Sequence, residues 1–217
     1  ALASLALGAL VALERAREAQ QQAQNADAAK AQALAALARA NALRDFLLTV
    51  FQAQAPGRPR SELPSTAELL DEGEALALNA GGDEPSVRAD MLDAITQVRL
   101  ARGDGAHAQA LIARSLELAD SAAEGAAAMR ARALLRQAQV QQQQRLGEQG
   151  LQSLRAAQVL LAGDTESELA IEVELARANM LLEQRRFDEA LAAIEPLGLL
   201  ASSRGDLSAT LRDRIFS

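Results

Sequence analysis

The chain of 217 residues contains no cysteine, tryptophan or tyrosine, and it has one histidine, His107, and one lysine, Lys30. Without cysteine there are no disulfides, thiolate metal sites or thiol nucleophiles. A lone histidine, with no second His or Cys as co-ligand, gives no basis for a metal centre or a Ser/His/Asp triad. Aromatic residues make up 2% of the chain and valine and isoleucine are sparse. The alternating pattern of a half-buried strand is sustained nowhere, so a sheet is not expected. Basic residues are outnumbered, 22 against 29 acidic, for a formal charge of −7. Affinity for phosphate backbones comes chiefly from clustered Lys and Arg, so nucleic acid is not an expected partner. A Gly-rich phosphate cradle and a recognisable catalytic Lys and Asp setting are also missing. No catalytic, cofactor or metal residue is therefore assigned, and the chain is read as not being an enzyme by itself.

What the chain has in abundance is alanine, roughly a quarter of its residues and the strongest intrinsic helix former. Hydrophobic residues total 49%, enough to bury a sizeable core, and the expected class is all-α. Residues 1–13 form an uncharged apolar run that ends at Glu14 and Arg15. Since roughly 20 such residues cross a bilayer, they are read as the end of a transmembrane helix, the plain alternative being a buried helix of a soluble protein. Residues 14–54 read as a stalk or linker helix. Its Ala/Gln/Asn part (18–32) offers a narrow small-residue stripe for a second copy, giving an expected homodimer contact. Its end carries Leu37, Ala40, Leu43, Leu47 and Val50 at helical steps. Continuous from Ala1, such a helix would span about 75 Å. Residues 55–65 hold three prolines and break it. A lead helix and turn follow over 66–85, capped by Ser65 or Thr66 with Glu68 near the capping-box position.

Three later stretches repeat one plan of helix, short polar turn and second helix opened by a small residue. They are Gly103-Asp104-Gly105-Ala106-His107-Ala108, Leu146-Gly147-Glu148-Gln149-Gly150 and Gln184-Arg185-Arg186-Phe187-Asp188-Glu189-Ala190. Repetition on this scale predicts an α-solenoid, in which each helix pair buries its apolar face by stacking on the next. First helices are expected near 86–102, 124–144 and 166–184, and second helices near 105–119, 148–161 and 187–200. A partial fourth repeat is expected from Asp206. Gly103-Asp104-Gly105 lacks the further ligands of a calcium loop and reads as a helix stop. Gly81-Gly82-Asp83-Glu84 resembles the start of the diguanylate cyclase signature, but a proline and a helical pattern follow it.

An apolar run, a long polar helix, Asp45-Phe46-Leu47-Leu48-Thr49-Val50-Phe51, a proline-containing linker, Thr66-Ala67-Glu68-Leu69-Leu70-Asp71 and then helix pairs occur in that order. This order resembles the C-terminal half of bacterial transmembrane Ser/Thr protein kinases, in which tetratricopeptide repeats (TPR) lie outside the cytoplasmic membrane. The resemblance implies a right-handed α-solenoid of TPR-like pairs over 86–217, preceded by a long N-terminal helix. The small residues Ala108, Gly150 and Ala190 lie 42 and 40 apart, longer than the standard period of about 34. The Trp, Gly and Tyr usual in a TPR first helix are missing; repeat one has Leu92, Thr96 and Arg99 there.

The same resemblance implies a partner groove along the first helices, formed by Asp90, Asp93 and Gln97, by Arg132, Leu135, Gln139 and Gln142, and by Glu172, Leu175, Asn179 and Glu183. Its polar, mildly acidic surface and amide side chains suit an extended peptide, the plain alternative being solvated helix faces. The implied setting is a periplasmic sensor or scaffold on the bacterial inner membrane, relaying protein or peptide binding to a kinase. A membrane-anchored one-component transcriptional regulator and a freestanding soluble TPR adaptor share this architecture.

Overall fold

The computed structural model describes residues 65–79, 85–122, 124–165 and 167–203, together with Arg17, Gln20, Gln21, Gln22 and Lys30, which are helical and exposed. The chain divides into two compact units, 1–49 and 50–217, and every helix described below belongs to the second. The expectations for the apolar run, most of the stalk and connector, the 80–84 turn and a fourth repeat lie outside the described residues.

The described residues form seven helices and no strand, so the fold is all-α. They are α1 (Thr66–Asn79), α2 (Pro85–Ala101), α3 (Gly105–Ser121), α4 (Ala126–Gln143), α5 (Gly147–Leu160), α6 (Glu168–Glu183) and α7 (Phe187–Ser203). Their ends fall within three residues of the limits set by the sequence periodicity. Each helix packs on the next; α2 also touches α4, and α4 touches α6. Among the described helices, α3, α5 and α7 do not touch one another. The first helices of the pairs thus form a tight row and the second helices a splayed one.

The reciprocal cap expected at α1 is formed. Ser65 N–H donates to Glu68 Oε2 (2.6 Å) and Glu68 N–H donates to Ser65 Oγ (3.2 Å). The Ser65 backbone and then side-chain hydrogen bonds hold the Glu68 carboxyl below its usual range. At the other end of α1, Arg88 donates to the carbonyls of Ala77 (3.1 Å) and Leu78 (2.8 Å), placing a cation where the helix dipole is negative. Arg99 of α2 is 3% exposed and pairs with Asp71 (2.5 Å) and Glu74 (3.5 Å) of α1 and with Asp104 (3.1 Å). Burial pushes its guanidinium down, but hydrogen bonds to Asp71 and Asp104 outweigh that, and its pKa is raised. Asp104 also caps α3, accepting from His107 N (3.4 Å) and meeting His107 Nδ1 at 2.8 Å. The lone histidine thus serves a helix start.

All three within-pair turns close in the same way. The second residue after the helix adopts a left-handed conformation, with φ of 76° at Gly103 and 61° at both Arg145 and Arg185. The next N–H then reaches back five residues, Asp104 to Arg99 O (2.9 Å), Leu146 to Gln141 O (2.7 Å) and Arg186 to Leu181 O (2.9 Å). The left-handed residue itself donates to Leu100, Gln142 or Leu182 O at 2.9–3.0 Å. This is the Schellman closure, in which a bare Cα is favoured. Five residues past each such position stands the small residue that opens the pair, and Ala108, Gly150 and Ala190 are all buried. At Gly150 a Cβ would lie 2.6 Å from the Met180 thioether and 3.3 Å from the Ala138 carbonyl, so α4, α5 and α6 meet there at closer range than a larger residue permits.

Two outcomes are expected from denaturant unfolding of the chain. Arg145→Gly and Arg185→Gly remove a side chain from a left-handed position and should each raise stability by up to about 1 kcal/mol. Gly150→Val must displace the Met180 thioether and crowd the Ala138 carbonyl, and should lower it by about 1–3 kcal/mol.

Candidate functional site

The open face of the row α2, α4, α6 carries most of the residues expected in the groove. Gln97 of α2, Gln139 and Gln142 of α4 and Glu172 of α6 line one open depression of about 380 Å³, together with Leu100, Ala101, Arg136 and Gln143. Gln142 and Glu183 border a second, of about 620 Å³, at the α4–α5 turn beside the end of α6. Gln142 Nε2 donates to Glu183 Oε1 (2.6 Å) and bridges α4 to α6. Asn179 is exposed on α6.

Leu135 and Leu175 depart from the expectation. They are 1% and 5% exposed and belong to the core. Leu135 packs with Leu151, Leu154 and Leu181, and Leu175 with Ile171 and Leu197. The reason is that both helices are enclosed, α4 by α2, α3, α5 and α6, and α6 by α4, α5 and α7. A face that would be open on an isolated pair is closed once its neighbours arrive, and burial favours leucine there.

The acidic and basic residues do not stand as free charges. Asp90 pairs with Arg132, and Asp93 takes Arg136 in a two-pronged pair, Nε to Oδ1 at 2.7 Å and Nη2 to Oδ2 at 3.0 Å. The Arg136 and Asp93 side chains are 9% and 14% exposed. These pairs join residues 42 and 43 apart, one repeat period, and Gln143 Nε2 donates to Leu100 O across the same interval (3.0 Å). Beside the ladder lies a small, partly open hollow of about 10 Å³ among Asp93, Thr96, Ser115 and Arg136, room for one water.

Arg136 and Gln143 were not among the residues expected in the site. The signal for Arg136 was legible, since two aspartates three apart on α2 face two arginines four apart on α4, one period later. For Gln143 no signal separates it from the other glutamines of the 141–144 run.

The amides are half engaged. Gln97 Nε2 donates to Asp93 (2.8 Å), Gln142 Nε2 to Glu183 and Gln143 Nε2 to Leu100 O, while Gln139 Oε1 accepts from Arg136 (3.3 Å). Among the described residues, no hydrogen bond reaches the amide oxygens of Gln97, Gln142 and Gln143 or the NH₂ of Gln139. The depression is thus lined by four amide side chains, each carrying both an acceptor oxygen and a donor NH₂. Among the described residues no group of three His, Asp or Glu gathers for a metal ion, and no helix is long and apolar enough to cross a membrane.

Removing one member of the Asp93–Arg136 pair leaves a buried charge unmatched. Asp93→Ala should cost about 3–5 kcal/mol in urea unfolding, and replacing both by apolar residues, Asp93→Leu with Arg136→Met, should recover most of it. Equal losses in the two variants would show that the pair's charge complementarity is not what matters. The chain as a whole matches no family model, no curated protein and no solved structure.

Proposed function

We propose that the pairs α2/α3, α4/α5 and α6/α7 are TPR-like units of a right-handed α-solenoid, and that the α2–α4–α6 face binds an extended segment of a partner protein. The observation that carries this reading is the amide cluster at Gln97, Gln139, Gln142 and Gln143. An extended backbone offers N–H and C=O groups in alternation, and amide side chains, each with an acceptor oxygen and a donor NH₂, are matched to both. The tight row of first helices against the splayed row of second helices supports a concave side on that face.

In this reading the chain is a non-catalytic scaffold whose occupancy is relayed to a membrane-anchored bacterial Ser/Thr kinase. The repeats lie on the periplasmic side of the inner membrane and the N-terminal helix serves as tether and dimer contact. The ground for the kinase setting is the order of sequence features. A kinase domain encoded upstream of Ala1 supports that setting, whereas a DNA-binding domain there replaces it with the one-component regulator.

The groove is tested by selecting peptides from a random display library on the whole chain, then measuring them on a Gln97→Ala/Gln139→Ala/Gln142→Ala variant. Selected peptides should lose at least about tenfold in affinity, about 1.4 kcal/mol, with unchanged helical circular dichroism. Equal binding to both proteins would remove the groove from the reading.

A further inference from the structure

We infer that the segment bound along the α2–α4–α6 face carries an acidic side chain where it crosses from α4 to α6, and that Arg145 is the residue that selects it. The inference rests on the groove reading and adds to it the chemical class of one ligand residue.

The depression of about 620 Å³ is where such a segment passes from α4 to the end of α6, since Gln142 borders both hollows and Glu183 borders this one. Arg145 lines it together with Gln149 and Gln184. The arginines in this region are not equivalent. Arg132 is paired with Asp90 and Arg136 with Asp93, and Arg186, at the α6–α7 turn, takes Glu148 (3.1 Å) and Glu189 (2.7 Å). Arg145 is exposed and, among the described residues, meets no carboxylate. The two carboxylates that line the same depression each accept from another neighbour, Glu148 from Arg186 and Glu183 from Gln142 (2.6 Å).

A guanidinium offers five N–H donors in a planar fork and no acceptor. Of the side chains a polypeptide can bring to it, a carboxylate makes the two-pronged, charge-assisted contact, about twice as strong as a neutral hydrogen bond, whereas lysine or arginine is repelled. The depression nearer α2 has no equivalent, because the one arginine lining it, Arg136, is already held in that way by Asp93. Successive side chains of an extended strand point to opposite sides, so a residue directed at Arg145 has neighbours directed away from it. The acidic preference is therefore confined to one position of the bound segment, while the amides of Gln142, Gln149 and Gln184 serve its backbone on either side.

The contact can be removed without harm to the turn. Arg145→Gly deletes the cation and relieves the left-handed φ of 61°, and Arg185→Gly makes the same change at the next turn, at a residue that lines neither depression. Peptides selected from a random display library on the unsubstituted whole chain should carry Asp or Glu at one fixed position. They should lose roughly tenfold or more in affinity on Arg145→Gly and bind Arg185→Gly unchanged. On Arg145→Glu, the same peptides with that acid replaced by lysine should bind more tightly than the originals. Selected peptides without an acidic position would overturn the contact. So would equal affinity for Arg145→Gly and the unsubstituted chain while the Gln97→Ala/Gln139→Ala/Gln142→Ala variant is weakened, a result that leaves the groove standing. Equal affinity for that glutamine variant would instead remove the groove, and this contact with it.

Discussion

Close approach at one small residue per pair governs this molecule. A helix hides its apolar stripe only if its partner comes within van der Waals range, and range is decided by the bulkiest atom at the crossing. Gly150 shows how little room there is, with the Met180 thioether 2.6 Å and the Ala138 carbonyl 3.3 Å from where a side chain would begin. The Schellman turn five residues earlier sets the direction of the second helix, and it recurs at 103, 145 and 185 whether or not glycine is present. That arginine tolerates a left-handed φ twice indicates that pair packing overrides local preference.

The enclosure of α4 follows from the same approach. Polar groups on its open face lie near apolar neighbours, and each basic one meets an acid on the preceding first helix. Ion pairs so placed add little net stability, yet they are costly to mismatch. Arg132 and Arg136 both find aspartates one period earlier, and Gln143 finds the Leu100 carbonyl at the same interval. A slip of α4 along α2 by one turn would break all three together. The ladder therefore fixes register between pairs, whereas the apolar core fixes their spacing.

Helix positions were legible because leucine and alanine spacing, together with turn residues, reports local structure that packing then reinforces. The small residues at 108, 150 and 190 were legible for the same reason, and Ser65 with Glu68 read as a cap from their three-residue offset alone. The groove was legible only in part. Gln97, Gln139, Gln142 and Glu172 do share a depression. Leu135 and Leu175 lie on the same helical stripe, but neighbouring helices cover them, and no property of a single helix announces that. Arg136 was legible only with α2 and α4 set one period apart, because a charge on a single α-helix is ordinarily solvated and its partner stands 43 residues away.

The form of the open face also bears on the size of the ligand proposed for it. Small molecules are usually held in enclosed apolar clefts of about 300–1,000 Å³. Of the three hollows described along the α2–α4–α6 row, the smallest admits a single water, and the two larger ones are open and bordered mostly by polar residues. They share Gln142, so they run side by side across α4 toward the end of α6. Neighbouring helices stand about 8–10 Å apart, and an extended chain advances about 3.3 Å per residue, so crossing from α2 to α6 takes about six residues. A ligand that met both depressions and all four glutamines would need that length and a regular succession of donors and acceptors. A polypeptide strand has both.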